Sequence, residues 1–152
     1  MATSTVARGA MKSIVRRFYD DIWNKFDISP VNEIISPAVT FRGTLKHGTT
    51  GIEGFKQYVH EIEASFPDFY QRVDEMYVDG EHCIARMHWS ATHTKDFRGF
   101  KATNKKFEYP GVAIFKIVDG KIMDVWAVGD TYGMYKVISQ AEGGSARSSA
   151  ES

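Results

Sequence analysis

Apolar positions recur with helical spacing near the start of the chain. Met11, Ile14, Val15, Phe18 and Ile22 share one face, and Lys12, Arg16, Asp20 and Asp21 occupy the other. This pattern predicts an amphipathic helix from near residue 8 to near residue 25. Asp27-Ile28-Ser29-Pro30 breaks it. Ser29 as a cap, Pro30 at the first helical position and Glu33 in the first turn then predict a short helix, which Pro37 ends. Val39–Arg42 reads as a short strand and 43–51 as a loop. A second amphipathic helix carries Ile52, Phe55, Val59, Ile62 and Phe66, and Pro67 stops it. From Tyr70 the pattern turns strand-like, in runs over 70–78, 82–94, 105–118 and 121–130. Asp79-Gly80 and Asp119-Gly120 are strong hairpin signals between the first and last pairs. Residues 95–104 form a polar loop, and 132–139 a short helical or extended end.

Helices first and a long meander afterwards indicate an α+β fold. Strands of this length must curve to pack on two helices, and Pro110-Gly111 marks a bulge or edge that helps them bend. A curved sheet wrapped by helices makes a cone with a pocket inside. Residues 1–9 read as a flexible N-terminus, 10–139 as a single domain and 140–152 as a disordered tail.

The candidate chemistry sits at strand ends. Alternation over 121–130 places Ile122, Trp126, Val128 and Asp130 on one side. If that side lines a cavity, Asp130 is a desolvated acid with a raised pKa, suited to proton transfer. If the strand ends at the surface, it is a turn residue before Tyr132-Gly133. In 82–94, Cys83, Ala85, Met87, Trp89, Ala91 and His93 share a face. His93 closes that apolar face, either as a hydrogen-bonded structural residue or as an acid/base partner. Folding the last hairpin brings Asp130 near Tyr109, whose hydroxyl can donate to an enolate. Arg42 either holds a substrate carboxylate or carbonyl, or makes a surface salt bridge. Trp126, Trp89, Phe41, Phe66 and Tyr109 are candidate pocket walls, each open to a plain core role.

Composition narrows the classes. The chain has 152 residues, 43% hydrophobic and 25% charged, which suits one ordinary globular domain. Nineteen basic residues balance nineteen acidic ones, which argues against a nucleic-acid partner. Ten Phe, seven Tyr and three Trp supply ring surface enough for a ligand pocket or a dimer interface as well as a core. Cys83 is the only cysteine and reads as a small core residue. No His pair has ligand spacing with a carboxylate, so no metal site is expected. No segment has the apolar length of a membrane span, no secretory signal is legible, and a cytoplasmic location is the expectation.

Several runs together resemble the SnoaL-like ester or polyketide cyclase family of the NTF2-like superfamily. They are Phe41-Arg42-Gly43-Thr44, Gly51-Ile52-Glu53-Gly54-Phe55, Ser65-Phe66-Pro67-Asp68-Phe69, Ala91-Thr92-His93-Thr94 with Phe97-Arg98-Gly99, Tyr109-Pro110-Gly111-Val112-Ala113-Ile114-Phe115, and Asp119-Gly120-Lys121-Ile122 leading to Trp126 and Gly129-Asp130. Their order and spacing carry the likeness, over residues 11–138. The resemblance implies an NTF2-like cone, with N-terminal helices on a strongly curved, mostly antiparallel sheet, and a homodimer. It implies ring closure by intramolecular aldol chemistry on a hydrophobic carbonyl-bearing molecule such as a polyketide ester, with no metal or organic cofactor. In that family an acid on the last strand, matched by Asp130, is the general acid/base. Other members of the superfamily isomerise, hydrolyse or only bind small molecules, so an isomerase, a hydrolase or dehydratase, and a non-catalytic binder remain open.

Overall fold

The computed structural model describes residues 4–140. Met1–Thr3, and residues 141–152 of the expected 140–152 tail, lie outside the described residues. The first helix, α1 (Thr5–Arg17), starts earlier than its apolar stripe predicts, within the stretch expected to be flexible. The reason is a cap: the Ser4 hydroxyl accepts from the Ala7 N–H at 3.0 Å. Past Arg17 the helix widens into a π-helical turn, Phe18–Trp23, where the Asn24 N–H donates to the Tyr19 carbonyl at 2.8 Å. This turn buries Phe18, Tyr19, Ile22 and Trp23 together.

A four-residue helix, α2 (Val31–Ile34), follows. Asp27 shapes the approach to it by accepting from the Ser29 N–H at 2.9 Å. Pro37 does not end an element. It lies inside β1 (Ile35–Arg42), where pairing with its neighbour lapses between Ile35 and Thr40. A proline costs little where the ladder needs no donor. The rest is β2 (Thr49–Thr50), α3 (Gly51–Ser65), β3 (Tyr70–Asp79), β4 (His82–Thr92), β5 (Lys106–Val118), β6 (Lys121–Gly129) and α4 (Thr131–Ile138). The six strands form one sheet in the order β2-β1-β6-β5-β4-β3, with β1 and β6 parallel and every other pair antiparallel. The architecture is therefore α+β on a mixed, mostly antiparallel sheet.

The sheet bends through slips of register in β1, in β3 between Val73 and Glu75, and in the β5–β6 ladder between Lys116 and Ile117. The expectation that Pro110-Gly111 is a bulge or edge is corrected. Both pair with β4 in unbroken register, at His88 and Met87. Pro110 fits an interior strand because its carbonyl accepts from the Asp130 N–H at 2.9 Å, just past the end of β6. The missing N–H of Pro110 points to that same side, where no ladder partner remains. Gly111 answers a different need. A Cβ there would lie 2.2 Å from the Val128 carbonyl oxygen and 2.5 Å from the Trp89 ring.

The core between helices and sheet is rich in aromatic rings. Phe18 meets Phe115 edge-on at 5.1 Å and stacks on Phe55 at 5.6 Å, while Trp23 stacks on Phe41 at 6.1 Å. Each such pair adds about 0.5–1.5 kcal/mol beyond its burial. Cys83 is buried in this core, as its apolar context predicts, and burial pushes its thiol up to about 11. Among the described residues no helix is long and apolar enough to cross a membrane. Gly111→Ala is expected to destabilise the fold by about 1–3 kcal/mol, since both nearest obstacles are rigid. Denaturant unfolding checks this; an unchanged midpoint would show that the strands can separate at no cost.

Candidate functional site

The phase of β6 decides which of its side chains face the helices. A strict two-residue hairpin at Asp119-Gly120 would pair Tyr109 with Asp130. The observed ladder pairs Lys116 with Asp124 and Ile117 with Ile122, so Met123 is an extra residue on β6. Beyond it the alternation flips. Ile122, Val125 and Ala127 are buried, whereas Trp126 and Val128 are each 42% exposed. Asp130 consequently falls on the outer side. It is exposed and accepts from the Gly133 N–H at 3.0 Å, capping α4. The inward, desolvated setting expected for Asp130 is corrected by this single slip.

A cavity of about 20 Å³ lies between the sheet and the helices. A water molecule needs about 10–15 Å³ by the same measure, so a larger ligand must part the walls. Phe18, Tyr19 and Trp23 contribute from the π-helical turn, Phe41 from β1, Thr44 and Leu45 from the following loop, and Tyr58 and Ile62 from α3. Gln71, Trp89, Val125 and Ala127 close it from the sheet, with Phe69 beside β3. Among the described residues that line it, none carries a carboxylate, an imidazole or a cationic group.

Its polar groups are neutral and held. Thr44 Oγ1 and the Tyr109 hydroxyl share one hydrogen bond of 2.8 Å, which leaves one of their two protons uncommitted. The Tyr58 hydroxyl accepts from the Leu45 N–H at 3.3 Å, leaving its own proton to donate. Burial raises the pKa of both phenols, so they remain protonated donors through the neutral range. Tyr109 stacks on Trp89 at 5.3 Å, in space left open by the facing Gly111 and Gly129. The Trp89 Nε1–H donates to Gln71 Oε1 at 2.8 Å.

The remaining sequence candidates divide between inside and outside. Phe41 and Trp89 are cavity walls, and Tyr109 stands behind Thr44. Phe66 is buried but packs elsewhere, against Phe97 at 4.8 Å and Phe107 at 5.3 Å. Arg42 is on the outer face. Its Nη1 donates to the Ala127 carbonyl at 2.7 Å, and its guanidinium lies over the Trp126 ring at 5.4 Å. The ligand-holding reading of Arg42 and the wall reading of Trp126 are both corrected, again because β6 shows its outer side here.

His93 is fully buried, yet it serves the 94–104 loop. Its Nδ1 accepts from the Thr103 N–H at 3.2 Å and meets the Thr103 hydroxyl at 3.0 Å, and its backbone bonds Asn104 and Lys105. With Nδ1 accepting, the proton of the neutral ring sits on Nε2, which has no partner among the described residues. Trp89 is opposite Tyr109, and His93 lies four residues further along, about 13 Å away. Asp130, His93 and Tyr109 are thus not brought together. Among the described residues no His, Cys, Asp or Glu cluster suited to a metal ion occurs.

The SnoaL-like polyketide cyclase family model matches residues 13–138. The chain belongs to this family. Solved structures share its fold. TsrD from Streptomyces laurentii aligns with a TM-score of 0.74 at 22% identity, covering 86% of this chain and 96% of that one. A structure titled as a candidate polyketide cyclase from Acidithiobacillus ferrooxidans gives 0.76 at 24% identity, covering 93% and 99%. IdmH from Streptomyces antibioticus, likewise titled a candidate polyketide cyclase, gives 0.72 at 22% identity, covering 82% and 95%. At these identities the likeness speaks to fold alone. No curated protein matches the chain.

Sequence reasoning passed over Tyr58, Thr44, Gln71, Trp23 and Ala127 as wall residues. Helical spacing could have found Tyr58, one position before Val59 on the buried stripe of α3. Small residues at Ala127 and Gly129, alternating with bulky Trp126 and Val128, were the available signal for the flipped phase. The cap makes a direct prediction. Asp130→Ala is expected to lower stability by about 1 kcal/mol, whereas Asp130→Asn, an equally good cap, leaves it nearly unchanged. Thermal unfolding of the two variants distinguishes this from a carboxylate whose charge, not its cap, matters.

Proposed function

We propose that the chain is a cofactor-independent cyclase or isomerase acting on a hydrophobic, carbonyl-bearing small molecule held in the central cavity. The observation that carries the reading is the aromatic cavity with two hydroxyl donors on its wall, buried Tyr58 and half-buried Thr44, the latter backed by the buried Tyr109 hydroxyl. Such donors stabilise the oxygen of an enolate or aldolate as charge develops on it, and removing one commonly costs about 100-fold or more in rate. In this reading Thr44, backed by Tyr109, polarises the carbonyl, a water molecule admitted to the cavity takes the α-proton and returns it, Phe41 and Trp89 hold the rings, and Asp130 acts only as a cap. Membership of the cyclase family supports the reaction class.

A second reading, binding without turnover, is favoured by the lack of any carboxylate or imidazole among the described lining residues. One experiment separates the two. 1-Tetralone in D₂O is followed by NMR for exchange of its α-protons, with binding measured in parallel. The cyclase or isomerase reading expects exchange above buffer, reduced about 100-fold by Tyr109→Phe and little changed by Asp130→Asn. Exchange abolished by Asp130→Asn would return the acid to the mechanism. Binding without exchange selects the second reading.

We further propose a homodimer through the outer face of the sheet. Ile114 pairs with Ile84 and Trp126, and Val112 with Val128, forming a contiguous apolar patch. Patches of this kind mark interaction surfaces. Sedimentation at micromolar concentration is expected to give a dimer, and Trp126→Glu a monomer. A wild-type monomer would contradict the proposal.

A further inference from the structure

The side-chain amide of Gln71 on the cavity wall is oriented by a hydrogen bond, and its backbone is fixed by two more. Its Oε1 accepts from the Trp89 Nε1–H at 2.8 Å. Its backbone is clasped by Asn24, whose Nδ2 donates to the Gln71 carbonyl at 2.9 Å and whose Oδ1 accepts from the Gln71 N–H at 2.8 Å. Gln71 is only 6% exposed. An indole N–H is a donor with no acceptor capacity, so it fixes the amide with oxygen toward Trp89. The NH₂ end is then turned the other way, and it makes no hydrogen bond among the described residues. Trp23, on the same wall, carries a buried N–H that has no partner among the described residues.

From this arrangement we propose that Gln71, oriented by Trp89 and Asn24, together with Trp23, selects the ligand by donating to a carbonyl oxygen. The class selected is an aromatic or alicyclic ketone, over the matching hydrocarbon or alcohol. An alcohol oxygen also accepts from these donors but brings a proton of its own that needs an acceptor beside them, and a hydrocarbon leaves the donors unmet. The inference rests on the cavity being the ligand site, as in the function proposed above, but it does not depend on turnover.

The test is a set of binding titrations of the full chain with 1-tetralone, 1-tetralol and tetralin. Wild-type protein is expected to bind 1-tetralone at least tenfold more tightly than either of the others. Gln71→Glu keeps an oxygen for Trp89 while replacing the NH₂ donor. It is expected to weaken 1-tetralone at least tenfold and to change tetralin by less than threefold. Trp23→Phe removes the second donor without burying a charge and keeps the test decisive if Gln71→Glu does not fold; it is expected to show the same selective loss. Equal wild-type affinity for all three probes, or variants that weaken ketone and hydrocarbon alike, overturns the donor assignment and leaves the cavity reading standing. A wild-type protein that binds none of the three overturns the cavity reading, and this inference with it.

Discussion

One extra residue in β6 sets what the sheet turns inward. Every side chain beyond Met123 changes face because of it, so the strand gives the cavity Val125 and Ala127 and leaves Trp126 and Val128 outside. The same slip places Gly129 opposite Gly111, and the space left by two absent side chains receives the rings of Trp89 and Tyr109. It also brings Asp130 to the start of α4, where its carboxylate closes a helix end. The wall, the stacked rings and the cap all follow from one local insertion.

The helical side is built to complement that wall. Widening α1 into a π-helical turn lets Phe18, Tyr19, Ile22 and Trp23 face the sheet together. Their rings close on Phe41, Phe55 and Phe115, which accounts for much of the aromatic richness of the chain. What remains is a narrow space whose polar side-chain groups are hydroxyls, an amide and indole N–H groups. The lining therefore offers a ligand hydrogen bonds and no resident charge.

The element order was legible because periodicity and turn chemistry are local. The stripes of α1 and α3 and the two Asp-Gly turns placed nearly every helix and strand. The site was less legible because register is not local. Within 121–130 only the small residues Ala127 and Gly129 hint at the phase, and a shift of one residue reverses the reading of Trp126, Val128 and Asp130. His93 was correctly placed on the buried face of its strand, but its work, holding Thr103 and the neighbouring loop, depends on a segment with no periodic pattern. Gln71 gave no signal, since a polar residue at a strand start is ordinary until Trp89 and Asn24 are seen to bracket it.

The clasp of Asn24 on Gln71 has a consequence for how the molecule behaves among its own copies. β3 is an edge strand, and the N–H and carbonyl of Gln71 point away from β4. A naked edge offers such groups to a strand of another chain, which is how sheets recruit neighbours into aggregates. The Asn24 amide stands where that neighbour's peptide would stand, satisfying both groups from within the molecule. The side chain that steadies the cavity wall is therefore also a stopper on the sheet, so one amide serves both the wall and the edge.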